Sequence, residues 1–229
     1  YSYYPMLNLN LGTERWNVYA FTYYIGGRNA LYGETQHHFL DSDTHHLKTG
    51  TYDYRGRTYF YRVGSIYAID KKHNHLLGAE LNGNINKGHA LNPGYNAFTD
   101  ANKKTYQGFS DMDDHNKTDY LNAVVSYNWK IDERDSYLKV LGNYNYKHNN
   151  KNNSFVAVYE GYEPLHTDEL NLSTSNANNG SLQVDFRYNF PSSLALRLGS
   201  KYENSIRTTG LNIWNHLADD DLTSSDWKY

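Results

Sequence analysis

The chain contains no cysteine, so neither a disulfide frame nor a thiolate metal site is available to it. It has no run approaching the roughly 18 apolar residues that a membrane helix needs. Neither sign of charge dominates, with a formal net charge of −3, and no basic run points to nucleic acid as a partner. The N-terminus lacks a charged segment followed by an apolar one, so a signal peptide is expected to be absent, through cleavage or because the sequence is a fragment. Apolar residues are sparse, at 38% of 229, which is little for a soluble core of this size. Tyrosine is abundant instead, with 24 copies, and aromatics reach 16%. A disordered chain is poor in aromatics, whereas Tyr, Thr and Val suit a half-buried pleated surface.

The pattern confirms strands. Short polar turns stand at 12–15 (GTER), 71–74 (KKHN), 132–135 (DERD) and 191–193 (PSS), each flanked by period-two alternation. Leu7, Leu9 and Leu11 alternate with Asn8 and Asn10 before the first turn, and WNVYAFTYY follows it. Tyr59, Val63 and Tyr67 share one phase and Arg62 the other; Leu77, Ala79, Leu81 and Ile85 oppose Glu80, Asn82 and Asn84. Leu121, Val125 and Trp129 oppose Asn122 and Lys130, while Leu138, Val140 and Tyr144 oppose Lys139 and Asn143. In the last hairpin Leu182, Val184 and Phe186 oppose Asp185 and Arg187, and Leu194, Leu196 and Leu198 oppose Arg197 and Lys201.

Eight strands in four tight hairpins result, with longer polar connections at 89–117 and 160–179. The segment 25–58 reads either as two strand extensions meeting near 41–44 or as a loop. Short turns at one end and long connections at the other are the asymmetry of a transmembrane β-barrel, with short periplasmic turns and long extracellular loops. The expected fold is therefore an all-β, antiparallel, up-and-down transmembrane β-barrel segment, with 1–229 as a single domain. The oily phase would meet outer-membrane lipid. The other phase would face the lumen through Glu80, Asn82, Asn84, Lys139, Asn143, Asp185, Arg187, Arg197 and Lys201. Trp16, Tyr67, Trp129, Tyr137 and Phe190 lie near the turns, where an aromatic girdle is expected. Tyr95, Phe98, Tyr106 and Phe109, in the longest connection, are the candidate ligand-binding residues, because loops on a rigid scaffold carry function.

No catalytic residue is expected. The chain has no GxSxG, HExxH, P-loop or dinucleotide fingerprint, and nothing positions the carboxylates Glu160 and Glu163. No metal site or cofactor is expected either. The pairs His37–His38 and His45–His46 are adjacent in sequence and so point to opposite faces of a strand, and His73 and His75 lack a partner ligand. The acidic stretch 111–119 has Asn116 and Asn122 where a calcium loop needs Gly and Glu.

The segments NLNLGTERWNVYAFTYY, YFYRVGSIYAIDKKHNHLLGAELNGN, YLNAVVSYNWKIDERDSYLKVLGNYNY and SLQVDFRYNFPSSLALRLGSKYENS resemble the outer membrane protein beta-barrel family, TonB-dependent-receptor-like proteins of Bacteroidetes. The resemblance covers most of the chain in patches and is one of pattern. It implies a bacterial outer-membrane receptor of about 22 strands that takes up a nutrient or metal chelate. Such a receptor has a plug in its lumen and an inner-membrane TonB complex as its energy source. The chain departs from that pattern in having no plug, no energy-coupling box and no terminal strand. The rival readings are a soluble or surface-exposed lectin-like all-β binding protein and a barrel hydrolase.

Overall fold

Pro5 and Pro93 interrupt two strands that are otherwise continuous, because a proline has no N–H to give the ladder. In the computed structural model, residues 2–161, 166–192 and 194–215 are described. They form a ten-stranded antiparallel sheet: β1 (Ser2–Tyr3), β2 (Met6–Gly12), β3 (Trp16–Phe39), β4 (Thr44–Ala68), β5 (His75–Leu91), β6 (Gly94–Thr99), β7 (Thr105–Lys130), β8 (Tyr137–Tyr159), β9 (Thr167–Asn189) and β10 (Ala195–Asn215). The strands β1 and β2 lie end to end along β3 in one register, from Ser2↔Gly27 to Met6↔Tyr23. Likewise β5 and β6 hold one register along β4, from Asp53↔Leu91 to Gly50↔Gly94. The carbonyls of Pro5 and Pro93 still accept, from Tyr24 N at 3.0 Å and Thr51 N at 3.2 Å. The ten strands are thus eight staves, in the up-and-down order that the four hairpins imply. Glu163, Ser193 and the segment 218–229 lie outside the described residues.

The ambiguous stretch 25–58 is two strand extensions, paired from Gly26↔Arg57 to Phe39↔Thr44 around a turn at 40–43. Within the polar excursions 89–117 and 160–179, residues 89–91, 94–99, 105–117 and 167–179 are also built as strand. They continue β5 through β6 and lengthen β7 and β9, so the turns at 40–43 and 100–104 are short where long connections were expected. Asp43, His73, Lys103 and Asp135 take left-handed φ angles in four of these turns.

Register without a slip keeps each side chain on one face along the whole stave. One face carries Val63 opposite Ala20 and Leu81, with Leu81 opposite Ala123 and Ala123 opposite Tyr144. Nearer the short-turn end, the same face carries Trp16–Tyr67–Leu77–Tyr127–Val140–Val184 in one rung. These apolar stretches occupy 16–24, 59–67, 77–85, 121–129, 138–146 and 182–190, about nine residues each. A tilted strand needs roughly 9–11 to cross hydrocarbon.

Among the described residues nothing covers that face. Leu194, Leu196 and Leu198 are 64%, 43% and 59% exposed, and Val125 is 55% exposed. The extensive contacts between elements run between sheet neighbours among the described residues. The buried hydrophobics among them are Ala68, Ala90, Ala157 and Tyr159. All four lie on the other face, as do buried Asn96 and Ser110. The same face carries contacts that skip staves. Tyr159 of β8 reaches His46 of β4 at 2.8 Å, and Lys48 of β4 stands 5.9 Å over the Phe155 ring of β8. In a flat sheet those staves would be about 14 Å apart. The sheet therefore curls with its apolar face convex and its polar face concave. Among the described residues β10 pairs only with β9, and β1 and β2 only with β3.

Tyr137 departs from the expected girdle. It lies opposite Lys130 and Arg187 on the concave face, where Lys139 Nζ sits 4.6 Å from its ring centroid. Its place beside a turn suggested the girdle, but its phase, shared with Lys139, decides the face. Trp16, Tyr67, Trp129 and Phe190 share the convex face. Trp16 and Tyr67 rings are 4.5 Å apart, and Trp129 stacks on His75 at 5.5 Å.

Candidate functional site

The concave face is a hydrogen-bonded wall. At the height of the apolar band its centre is Glu80, whose Oε2 accepts from Tyr19 Oη and Arg62 Nη2, both at 2.6 Å. Asn82 Nδ2 donates to Oε1 at 2.9 Å. Gly64 makes this possible. It lies between Tyr19 and Glu80 in the rung, and the Tyr19 ring occupies the space that a Cβ at Gly64 would need. Further along, Asn143 Nδ2 donates to Asn122 at 3.1 Å, Asn145 Nδ2 to Asn143 at 2.6 Å, and Tyr120 Oη to Asn145 at 2.8 Å. Gln183 donates to Asp185 at 2.7 Å, and Arg187 Nε to Asn189 at 3.0 Å. All nine residues expected on the polar phase share this face: Glu80, Asn82, Asn84, Lys139, Asn143, Asp185, Arg187, Arg197 and Lys201.

The wall is not uniformly polar. Tyr23 stacks on Phe60 at 4.9 Å, with Phe21 6.0 Å from Phe60, beside Arg62. Toward the far end a second aromatic group forms around Tyr159, His46, Phe98 and Tyr106. Burial lowers the pKa of His46 and raises that of Tyr159, so the contact between them is one of neutral groups. Asn96 Oδ1 and Ser110 Oγ, buried in the same region, have no hydrogen-bond partner among the described residues.

The four aromatics expected to form a ligand loop do not assemble. Gly94–Thr99 and the start of β7 pair as strands, with Tyr95 opposite Phe109 and Phe98 opposite Tyr106. Tyr95 and Phe109 therefore lie on the convex face, 47% and 53% exposed, and Phe98 and Tyr106 on the concave one. Read as a loop the four could converge; read as strands their spacing separates them.

Histidines that sequence spacing kept apart are brought together across strands. His38 lies opposite His45, with ring centroids 4.0 Å apart and Asp43 Oδ1 at 3.2 Å from His38. His89 lies opposite His115 at 4.1 Å, with Asp113 at 2.8 and 3.0 Å. Each trio has the donors of a metal site. Symmetry about the turn at 40–43 was the signal for the first. Its carboxylate is already engaged by Lys103 at 2.5 Å, however, and the second trio sits among Arg55, Lys87 and Lys117. A divalent cation is repelled there, so neither trio carries a metal argument. The acidic stretch 111–119 is strand, with Asp113 convex and Asp114 paired to Lys151 at 3.2 Å.

The Lys103–Asp43 contact ties the β3–β4 turn to the β6–β7 turn. Lys103 beside Asp43 holds its carboxyl below the usual carboxylate range, with His38 adding to the effect. A depressed carboxylate pKa stabilises above its unfolded value, and that stabilisation is lost as pH falls through the folded value. Amide exchange at 40–45 and 100–105 should therefore stay slow down to the ordinary carboxylate pKa and quicken below it. Lys103→Ala should return the Asp43 titration, followed by carboxyl NMR, to the ordinary range.

No protein-family model and no curated protein matches the sequence. Among the described residues no helix is long and apolar enough to cross a membrane, which leaves strand-built spans open.

Proposed function

We propose that this chain is part of the wall of a bacterial outer-membrane β-barrel of the TonB-dependent receptor type, which takes up a nutrient or metal chelate. The observation that carries the membrane reading is the convex apolar band. It runs on from stave to stave, stepping by two residues between β5 and β7 and by four between β8 and β9, it is about nine residues tall, and its large side chains are exposed (Leu77 44%, Val63 46%, Leu182 51%). In water such a face would drive association; in hydrocarbon it is solvated. Hydrocarbon also tolerates no unpaired strand edge, so in this reading further strands pair with β2 and β10 to close the ring.

The receptor type rests on the resemblance in the hairpin segments. It is supported by the Phe21–Tyr23–Phe60 patch at spanning height on the concave face. Aromatic side chains there suit contact with a packed plug better than with a column of water. No catalytic role is part of this reading.

The test is refolding from denaturant. Dilution of the full-length protein into detergent micelles or lipid vesicles should give strand circular dichroism and protease resistance, and dilution into buffer alone should give aggregate. A folded, monodisperse chain without amphiphile would overturn the membrane reading. For the receptor type, a photo-crosslinker at Phe60 in the full-length protein in native membranes should capture a segment of a plug. Free access of a bulky water-soluble thiol reagent to a cysteine at that position would overturn the plugged-lumen part.

A further inference from the structure

Immediately past the apolar band, the convex face turns cationic. The next convex residue after Tyr59 on β4 is Arg57, and after Ile85 on β5 it is Lys87. Arg57 lies directly opposite Lys87, and Lys87 directly opposite Lys117 of β7. One pleat further, Arg28 lies opposite Arg55, and Arg55 opposite His89. In sequence these cations are scattered from 28 to 117; only the register lines them up.

The charges here do not cancel. Asp53 accepts from Arg28 at 2.6 and 2.7 Å and lies 3.5 Å from Arg55. Lys117 pairs with Asp119 at 2.7 Å, and Asp113 serves the two histidines. Arg57 and Lys87 are exposed and have no ion pair or hydrogen bond among the described residues. Like charges directly opposite on neighbouring strands are destabilising. Here two such contacts stand in succession on one rung, a cost that an anion bound across the row removes.

Location identifies the anion. On β4 and β5 the row lies one pleat, about 7 Å, beyond the last apolar residues, Tyr59 and Ile85, on the same face; on β7 Asp119 shares their rung and stands between Leu121 and Lys117. That is where the headgroup phosphates of a lipid would stand if its acyl chains covered the band. The row spans two strand spacings, about 10 Å from Arg57 to Lys117, wider than one phosphate. A shallow depression of about 430 Å³ follows it, bordered by Arg55, Arg57, Lys87, His115 and Asn152. Guanidinium groups bind phosphate oxygens in pairs, and lysine supplies point charge.

We propose that this double rung binds the headgroup of a membrane lipid carrying two phosphates, whose acyl chains lie on the apolar band. The proposal rests on the membrane reading above and adds its lipid partner. The acyl chains make the site specific for a lipid rather than for phosphate in solution.

The experiment uses the full-length protein in neutral-detergent micelles, with lipid A as the bis-phosphorylated probe, and reads co-purified lipid per protein by mass spectrometry. Wild type should retain lipid A. Arg57→Gln with Lys87→Gln should reduce retention at least tenfold while refolding as well as wild type, because the substitutions also remove the repulsion. Lys147→Gln, on the concave face, should retain lipid A as wild type does. Equal retention by wild type and the double variant would overturn the proposal, as would displacement of the lipid by millimolar inorganic pyrophosphate, which would indicate a free-phosphate site. Failure of the membrane reading is separate, because it appears as folding without micelles.

Discussion

Leu81→Arg should largely abolish folding into lipid vesicles, and Asn82→Arg should not. Leu81 stands at the middle of the apolar stretch 77–85, 39% exposed on the convex face, between Val63 and Ala123. Arginine on the lipid face near the bilayer midplane costs about 2–4 kcal/mol, roughly a 30- to 1,000-fold loss in the folding equilibrium. Asn82 is one residue away and faces the concave side, where Glu80 accepts its amide at 2.9 Å. An arginine there meets a carboxylate and, in the membrane reading, the water or protein of a lumen. Urea titration of vesicle-bound protein measures both. Equal tolerance of the two substitutions would mean that the convex face meets water, and the lectin-like alternative would gain.

Glu80→Ala should cost about 2–3 kcal/mol, the range for hydrogen bonds to a charged group whose partners are left without an acceptor. Three donors converge on this carboxylate, and its side chain is only 18% exposed. Arg62 is 49% exposed and can turn to water, so the Tyr19 hydroxyl and the Asn82 amide carry most of the loss. Glu80→Gln keeps an acceptor and should cost about half as much or less. Gly64→Val should act on the same network without touching a polar group. The Tyr19 ring lies where the new side chain would go, and overpacking costs about 1–3 kcal/mol. Because both changes disable the Tyr19–Glu80 contact, their sum should exceed the double variant by more than about 0.5 kcal/mol. Denaturation midpoints in micelles test this. A Glu80→Ala loss below about 0.5 kcal/mol would show that water already satisfies those donors.

Much of this architecture is legible in the sequence because alternation is a local property. A strand has period two, so Leu77–Ala79–Leu81 against Glu80–Asn82–Asn84 assigns faces before any partner is known, and the polar-phase residues fall where that phase puts them. Other cues mislead where they conflict with phase. Nearness to a turn points Tyr137 to a girdle, but it shares its phase with Lys139. The Asn, Gly and Asp around Tyr95, Phe98, Tyr106 and Phe109 are poor strand formers and point to a loop. In the sheet their ladder hydrogen bonds and neighbours override that propensity.

Register and curvature belong to the tertiary structure alone. The placing of Arg57 beside Lys87 and Lys117, or of His89 beside His115, follows from how far each strand slides along its neighbour, and the hairpin turns set that distance. The reach of Tyr159 over two staves to His46 needs the sheet to curl, which no stretch of sequence encodes by itself. The sequence by itself determined which residues share a side of the sheet, since steric alternation needs only the chain's own backbone. Pairing between residues tens of positions apart decided which of them meet, because that depends on hydrogen bonds no single strand can form.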